Sequence, residues 1–145
     1  MEQFKAKTEV RFAQNALDAL EEFENVNAVI ITDPFMVKSG AAQRIADKLC
    51  HCSKVEIFGE VKPDPPIELI VDGLKFLRQA DADIVVALGG GSSIDAAKSI
   101  MFMARQAGGK SGMKLIAIPT TSGTGSEVTK FAVITDKEQG IKYPL

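Results

Sequence analysis

Three short stretches carry groups that could act together on one ligand. The first is Leu88-Gly89-Gly90-Gly91-Ser92-Ser93-Ile94-Asp95-Ala96-Ala97-Lys98. An apolar run ends, three glycines turn the chain, and a helical pattern begins. Glycine lets a backbone approach a ligand closely. The free amides at a helix start, with the positive end of the dipole, attract an anion. Gly90, Gly91 and Ser92 therefore make a candidate pyrophosphate site. A capping box of Ser92 and Asp95 is the structural alternative, and it does not exclude phosphate. The second stretch is Pro119-Thr120-Thr121-Ser122-Gly123-Thr124-Gly125-Ser126-Glu127-Val128-Thr129. Its hydroxyls donate and accept hydrogen bonds without net charge. They suit phosphate oxygens, ribose hydroxyls or a ring amide. A turn capped by Thr124 and Glu127 is the alternative there. The third is Asp33, closing the apolar run Asn27-Ala28-Val29-Ile30-Ile31-Thr32. A carboxylate at the end of a buried strand can accept hydrogen bonds from a ribose diol, and it repels a 2′-phosphate. Asp before Pro is also a common turn starter.

Other chemistries fit less well. Gly-x-Gly-x-x-Gly would require glycine at Ile94, and a Walker loop would require glycine where Ala97 precedes Lys98. Cys50-His51-Cys52 holds both cysteines and the single histidine. A structural zinc site needs four ligands, so this segment reads as a helix end and no metal site is assigned. A disulfide between residues so close is disfavoured, and a reducing compartment follows. The net charge of -2 and the scattered basic residues argue against a nucleic-acid partner. The apolar run Ile84 to Leu88 is too short to span a bilayer, and the amino terminus has no signal-peptide pattern. The expected location is cytoplasmic.

The elements that must position these residues follow from periodicity. Asn27 to Asp33, Lys54 to Phe58, Asp83 to Leu88, Lys114 to Ile118 and Lys130 to Thr135 read as strands. Val37, Ala41, Ile45 and Leu49 recur at fours as one face of a helix. Ile67, Ile70, Val71, Leu74 and Leu77 form a second helical face, and Ser92 to Ala107 a third helix. At the amino end, Phe4 to Lys7 and Glu9 to Phe12 are candidate edge strands. Asn15 to Phe23 is a candidate helix with Leu17, Leu20 and Phe23 inward. Continuously apolar strands alternating with helices predict an α/β fold, a doubly wound parallel sheet covered on both faces. About five or six strands are expected. The chain of 145 residues fits one domain. The strands ending at Thr32, Leu88 and Ile118 should lie side by side and bring Asp33, Gly91 and Thr120 to one edge.

Gly-Gly-Gly-Ser-x-x-Asp-x-x-Lys followed by Pro-Thr-Thr-Ser-Gly-Thr-Gly-Ser-Glu-Val-Thr resembles the iron-containing (group III) alcohol dehydrogenases. Thr32-Asp33 and Pro63-Asp64-Pro65 resemble the family's earlier landmarks. The resemblance covers essentially the whole chain. It implies a Rossmann-like unit, the nucleotide-binding half of a dehydroquinate-synthase-like fold, with NAD as cofactor. Asp33 matches the position that holds the adenosine ribose and favours NAD over NADP. Gly91 and Ser92 match the pyrophosphate turn, and Asp95 the aspartate beside the cofactor. Thr120, Thr121, Ser122, Gly123 and Thr124 match the loop around the dinucleotide, and Thr129 its closing threonine. Lys142 falls where the family often has a cofactor-contacting lysine. Asp64 stands where the family commonly has asparagine.

The family holds iron or another divalent metal with an aspartate and three histidines in a carboxyl-terminal helical domain. The sequence ends at Leu145 before any of them. The expectation is therefore a dinucleotide-binding domain over residues 1–145 with no catalytic residue of its own, inactive alone. The parent would transfer a hydride between NAD(H) and an alcohol or aldehyde. The two halves of the family pack along a cleft, which implies an exposed apolar face here and a homo-oligomer. A glycerol-dehydrogenase or dehydroquinate-synthase-like relative, and a non-catalytic nucleotide-binding module, are the alternatives.

Overall fold

The computed structural model describes residues 8–127 and the backbone of two further strands, 133–136 and 141–144. A 3-10 helix (Ala16–Glu22) leads into β1 (Asn27–Ile31), α1 (Pro34–Lys38), α2 (Ala41–Lys48) and β2 (Lys54–Phe58). Next come α3 (Ile67–Gln79), β3 (Ile84–Gly89), α4 (Gly91–Gln106) and β4 (Lys114–Pro119). The last elements are β5 (Val133–Asp136) and β6 (Ile141–Pro144).

The first four strands form a parallel sheet in the order β2-β1-β3-β4. Val29 of β1 lies opposite Glu56 on one side and Val85 on the other, and Val85 in turn faces Leu115. The central β3 is buried along its whole length, as a strand covered on both faces must be. Successive side chains on a strand point to opposite faces, and they divide the core in two. Val29, Ile31, Val85 and Ala87 pack beneath α3 and α4. Ala28, Ile30, Ile84, Val86 and Leu88 pack beneath α2 and the 3-10 helix. Each fully buried Ile or Val contributes roughly 1.5–3 kcal/mol. α3 and α4 approach at Gly73, where an added β-carbon would stand 2.2 Å from Ile100 Cδ1.

Several expectations from the sequence are corrected. The parallel sheet has four strands, and β5 pairs antiparallel with β6 in a separate sheet. The single helix expected from Val37 to Leu49 is two helices, broken where Gly40 takes φ +83°. The turn rotates the apolar stripe, leaving Val37 exposed while Ala42, Ile45 and Leu49 are buried. Glu9 to Phe12 is not a strand. Phe4 to Lys7 lies outside the described residues. The first helix is 3-10 rather than α, with Leu20 buried and Leu17 exposed. The segment takes its form from docking Leu20 against α2. Among the described residues no helix is long and apolar enough to cross a membrane.

Candidate functional site

The strand order reverses direction at one place. The chain leaves β1 for β2 on one side, then crosses back to β3 and β4 on the other. At such a switch point the connections diverge and open a crevice at the carboxyl ends of the strands, where ligands of open α/β sheets bind. Asp33 follows β1 at this crevice, and Gly89, Gly90 and Gly91 follow β3 beside it.

Thr32, fully buried, ties the two strand ends together by donating from Oγ1 to the carbonyl of Leu88 at 2.7 Å. Asp33 begins α1 as its cap, and its Oδ1 accepts the amide of Met36 at 2.9 Å. The other oxygen, Oδ2, is turned toward the glycine turn. It lies 3.3 Å from where a β-carbon of Gly89 would be. Gly89 adopts φ +139°, and a side chain there would also meet Ser93 Oγ at 2.7 Å. That conformation and that closeness require glycine.

Gly90 caps α4, and as glycine it brings no side chain to the helix start. The expected capping box of Ser92 and Asp95 is thus displaced: Ser92 is the second residue of the helix rather than its cap. The helix opens instead on glycine backbone, and its amino-terminal dipole points into the crevice.

The hydroxyl loop closes over this turn. The amide of Thr120 donates to the carbonyl of Gly89 at 2.9 Å. Thr121 Oγ1 lies 3.3 Å from the β-carbon position of Gly90. Ser126 Oγ and Thr124 Cγ2 each lie 3.4 Å from that of Gly91. Thr120 to Thr124 are otherwise exposed, so their polar groups are open to solvent at this edge. Thr124 Oγ1 accepts the amide of Ser126 at 3.4 Å, a contact two residues on. This replaces the box expected with Glu127.

The matching family is "Iron-containing alcohol dehydrogenase", whose model matches residues 7–145. This chain belongs to that family. It is 41% identical over 145 residues to the 1-propanol dehydrogenase PduQ of Citrobacter freundii, covering 100% of this chain and 39% of that protein. It is 37% identical to aldehyde-alcohol dehydrogenase 2 of Entamoeba histolytica, covering 98% of this chain and 19% of that one. Among solved structures it resembles the sulfoacetaldehyde reductase of Bifidobacterium kashiwanohense in complex with NAD+. There the TM-score is 0.83 at 26% identity, over 100% of this chain and 43% of that chain. It also resembles the iron-containing alcohol dehydrogenase of Thermococcus thioreducens, at TM-score 0.85 and 26% identity, over 99% of this chain and 43% of that one. The chain thus spans well under half the length of the relatives it matches.

For this member of the iron-containing family, the structure gathers Asp33, Gly90, Gly91, Ser92, Thr120, Thr121, Ser122, Gly123 and Thr124 at the carboxyl edge of the sheet. Asp95 is half-buried on α4, where its carboxylate attracts Lys98. Lys142 stands in β6 opposite Thr135, and Thr129 lies outside the described residues. Four residues at this edge stand within the two quoted motifs but were assigned no role of their own from the sequence. Gly89 and Ser93 shape the turn beside Asp33, and Lys98 and Ser126 join α4 to the loop. The legible signal for Lys98 was its helical spacing, three residues after Asp95. Among the described residues no group of three or more His, Cys, Asp or Glu side chains could hold a metal ion. Cys50 and His51 are exposed. Cys52 Sγ donates weakly to the carbonyl of Phe23, and burial raises its thiol pKa.

Proposed function

We propose that this chain is the NAD(H)-binding unit of an alcohol dehydrogenase acting on an alcohol or aldehyde. One observation carries the reading. The carboxylate of Asp33, the glycine start of α4 and the hydroxyl loop all meet at the switch point of the sheet. Each suits one part of a dinucleotide. Asp33 would hold the adenosine ribose, and Gly90, Gly91 and Ser92 the pyrophosphate. Thr120, Thr121, Ser122, Gly123 and Thr124 would wrap the remainder, with Asp95, Thr129 and Lys142 completing the contacts. The glycine turn fits such a ligand because β-carbons at Gly90 and Gly91 would crowd the space under Thr121 and Thr124. The NAD+ complex of the sulfoacetaldehyde reductase neighbour supports the choice of cofactor. When bound, NAD supplies hydride-transfer chemistry, while the protein supplies binding and orientation. Asp33 Oδ2 orients a ribose, the α4 amides neutralise phosphate charge, and the loop shields the cofactor from water.

This chain spans 39% of the 1-propanol dehydrogenase it matches, and the reading places the family's metal and the substrate cleft in the part of such relatives that the chain does not cover. The chain alone should then be inactive. It should also self-associate, because Phe35, Val37 and Ile67 are exposed on elements that start at the carboxyl edge, and exposed apolar patches promote association. Fluorescence titration tests the cofactor assignment. NADH should saturate the chain and bind at least about tenfold tighter than NADPH, the worth of one charge-assisted hydrogen bond. Absence of saturable NADH binding, or equal affinities that Asp33→Gly leaves unchanged, defeats it. Turnover of simple primary alcohols with NAD+ and added ferrous or zinc ions would show that the catalytic site lies within this chain.

A further inference from the structure

We propose that Lys98 is a positioning residue that fastens the 120–127 loop across the glycine turn; its effect on cofactor affinity rests on the dinucleotide reading above. Lys98 lies on α4, one turn beyond Asp95, and its ammonium donates to the backbone carbonyl of Ser126. The amide of Ser126 is taken by Thr124 Oγ1. Both backbone groups of Ser126 are thus engaged, one within the loop and one from the helix. Ser126 is buried, and with Thr124 it forms the wall of the turn at Gly91. Holding the Ser126 carbonyl therefore holds the wall against which the phosphates would lie.

Charge points the same way. The carboxylates of Asp95 and Glu127 both attract the Lys98 ammonium, while burial holds its pKa below the usual lysine range. Two carboxylates next to a pyrophosphate site would repel the ligand. An ammonium attracted by both offsets part of that repulsion and satisfies the Ser126 carbonyl in the same place. Methionine at this position keeps the length of the stem but supplies neither charge nor donor. Arginine keeps both. The side chain therefore predicts a local effect, on the loop and on the phosphates, rather than a general loss of packing.

The experiment compares the 145-residue chain with Lys98→Met, Lys98→Gln and Lys98→Arg. Two readouts are taken: amide hydrogen exchange without nucleotide, and NADH affinity by fluorescence. In Lys98→Met, amides 120–127 should exchange at least tenfold faster while those of β1 and β3 keep their protection. NADH should bind at least tenfold more weakly. Lys98→Arg should restore both to within about threefold, and Lys98→Gln should fall between. Unchanged exchange in the loop, or no rescue by arginine, overturns the proposal. So does loss of protection across the whole sheet in Lys98→Met and Lys98→Gln alike, since that marks a residue needed for folding. If the unmodified chain fails to bind NADH, the cofactor reading falls. The exchange comparison still decides whether Lys98 holds the loop. If it binds NADH and Lys98→Met binds equally well, the cofactor reading stands and the role of Lys98 is refuted.

Discussion

The two edges of the sheet use their polar groups in opposite ways. At the amino edge they are turned on one another. Asp83 Oδ2 accepts the amide of Asn27 at 2.8 Å, and its Oδ1 accepts from Lys110 at 2.8 Å. Lys110 also donates to the carbonyl of Asp81 at 3.0 Å, and the side-chain amide of Asn27 reaches the same carbonyl at 3.1 Å. At the carboxyl edge Thr32 makes one buried tie between strands. Beyond it lie glycine backbone, the half-buried Asp33 carboxylate beside the glycine turn, and a run of exposed hydroxyl residues. An edge that satisfies itself holds the sheet together, whereas an edge that leaves donors and acceptors outward is ready for a ligand. On the proposed reading, residues at the amino edge matter for folding and residues at the carboxyl edge for binding.

Four substitutions would break or sharpen that contrast. Gly89→Ala should have the largest effect. It forces a side chain into φ +139° and against Ser93, a strained conformation costing about 1–3 kcal/mol. Chemical denaturation should show that loss, and NADH binding should vanish with it because the turn moves. Thr32→Val keeps shape but removes the donor to Leu88. The buried carbonyl left behind costs about 1–3 kcal/mol, again read by denaturation. NADH affinity should change little once the variant is folded. A large affinity loss there would mean that Thr32 faces the ligand.

Asp33→Gly should invert this pattern. As a cap, glycine replaces aspartate at a cost of only a few tenths of a kcal/mol, so the denaturation midpoint should hardly move. NADH affinity should fall about tenfold, equivalent to about 1.4 kcal/mol. If stability falls and affinity does not, Asp33 is a cap and nothing more.

Asp83→Asn should be the smallest. The Asn27 amide, then Lys110, hold the Asp83 carboxyl below its ordinary range. A carboxylate with a depressed folded pKa stabilises the protein above its unfolded pKa, about 3.9. That contribution is lost as the pH falls through the folded value. Thermal melts should show the variant slightly less stable at neutral pH, with the difference closing in acid. The pair is partly exposed, and solvent screening keeps the effect small. NADH binding should be untouched, which is the point of contrast with Asp33.

Much of this was legible in the residues because it depends on local chemistry. Lys54 to Phe58 was readable as a strand by its composition, and β3 by an apolar run with no polar alternation. The glycine start of α4 was readable because a buried strand followed by three glycines has few uses. Local patterns also misled. The apolar spacing at fours through Val37, Ala41, Ile45 and Leu49 ignored Gly40, whose left-handed turn breaks the stripe into two helices. Ser92 with Asp95 matched a capping box in spacing, yet the cap is Gly90, two residues earlier, and the helix begins at Gly91. One turn residue shifts which amides a side chain can reach.

The residue types by themselves determined that parallel strands would be covered on both faces and that a glycine turn and a hydroxyl loop would follow two of them. Only the tertiary structure decided that these loops meet. The order β2-β1-β3-β4 is set by which strands the helices can cross, and hydrophobic periodicity is blind to it. That order makes β1 and β3 neighbours, puts Asp33 against Gly89, and brings Lys98 to the carbonyl of Ser126, 28 residues away in sequence. Contacts at such separations depend on the crossing of whole elements, which no short window of sequence contains.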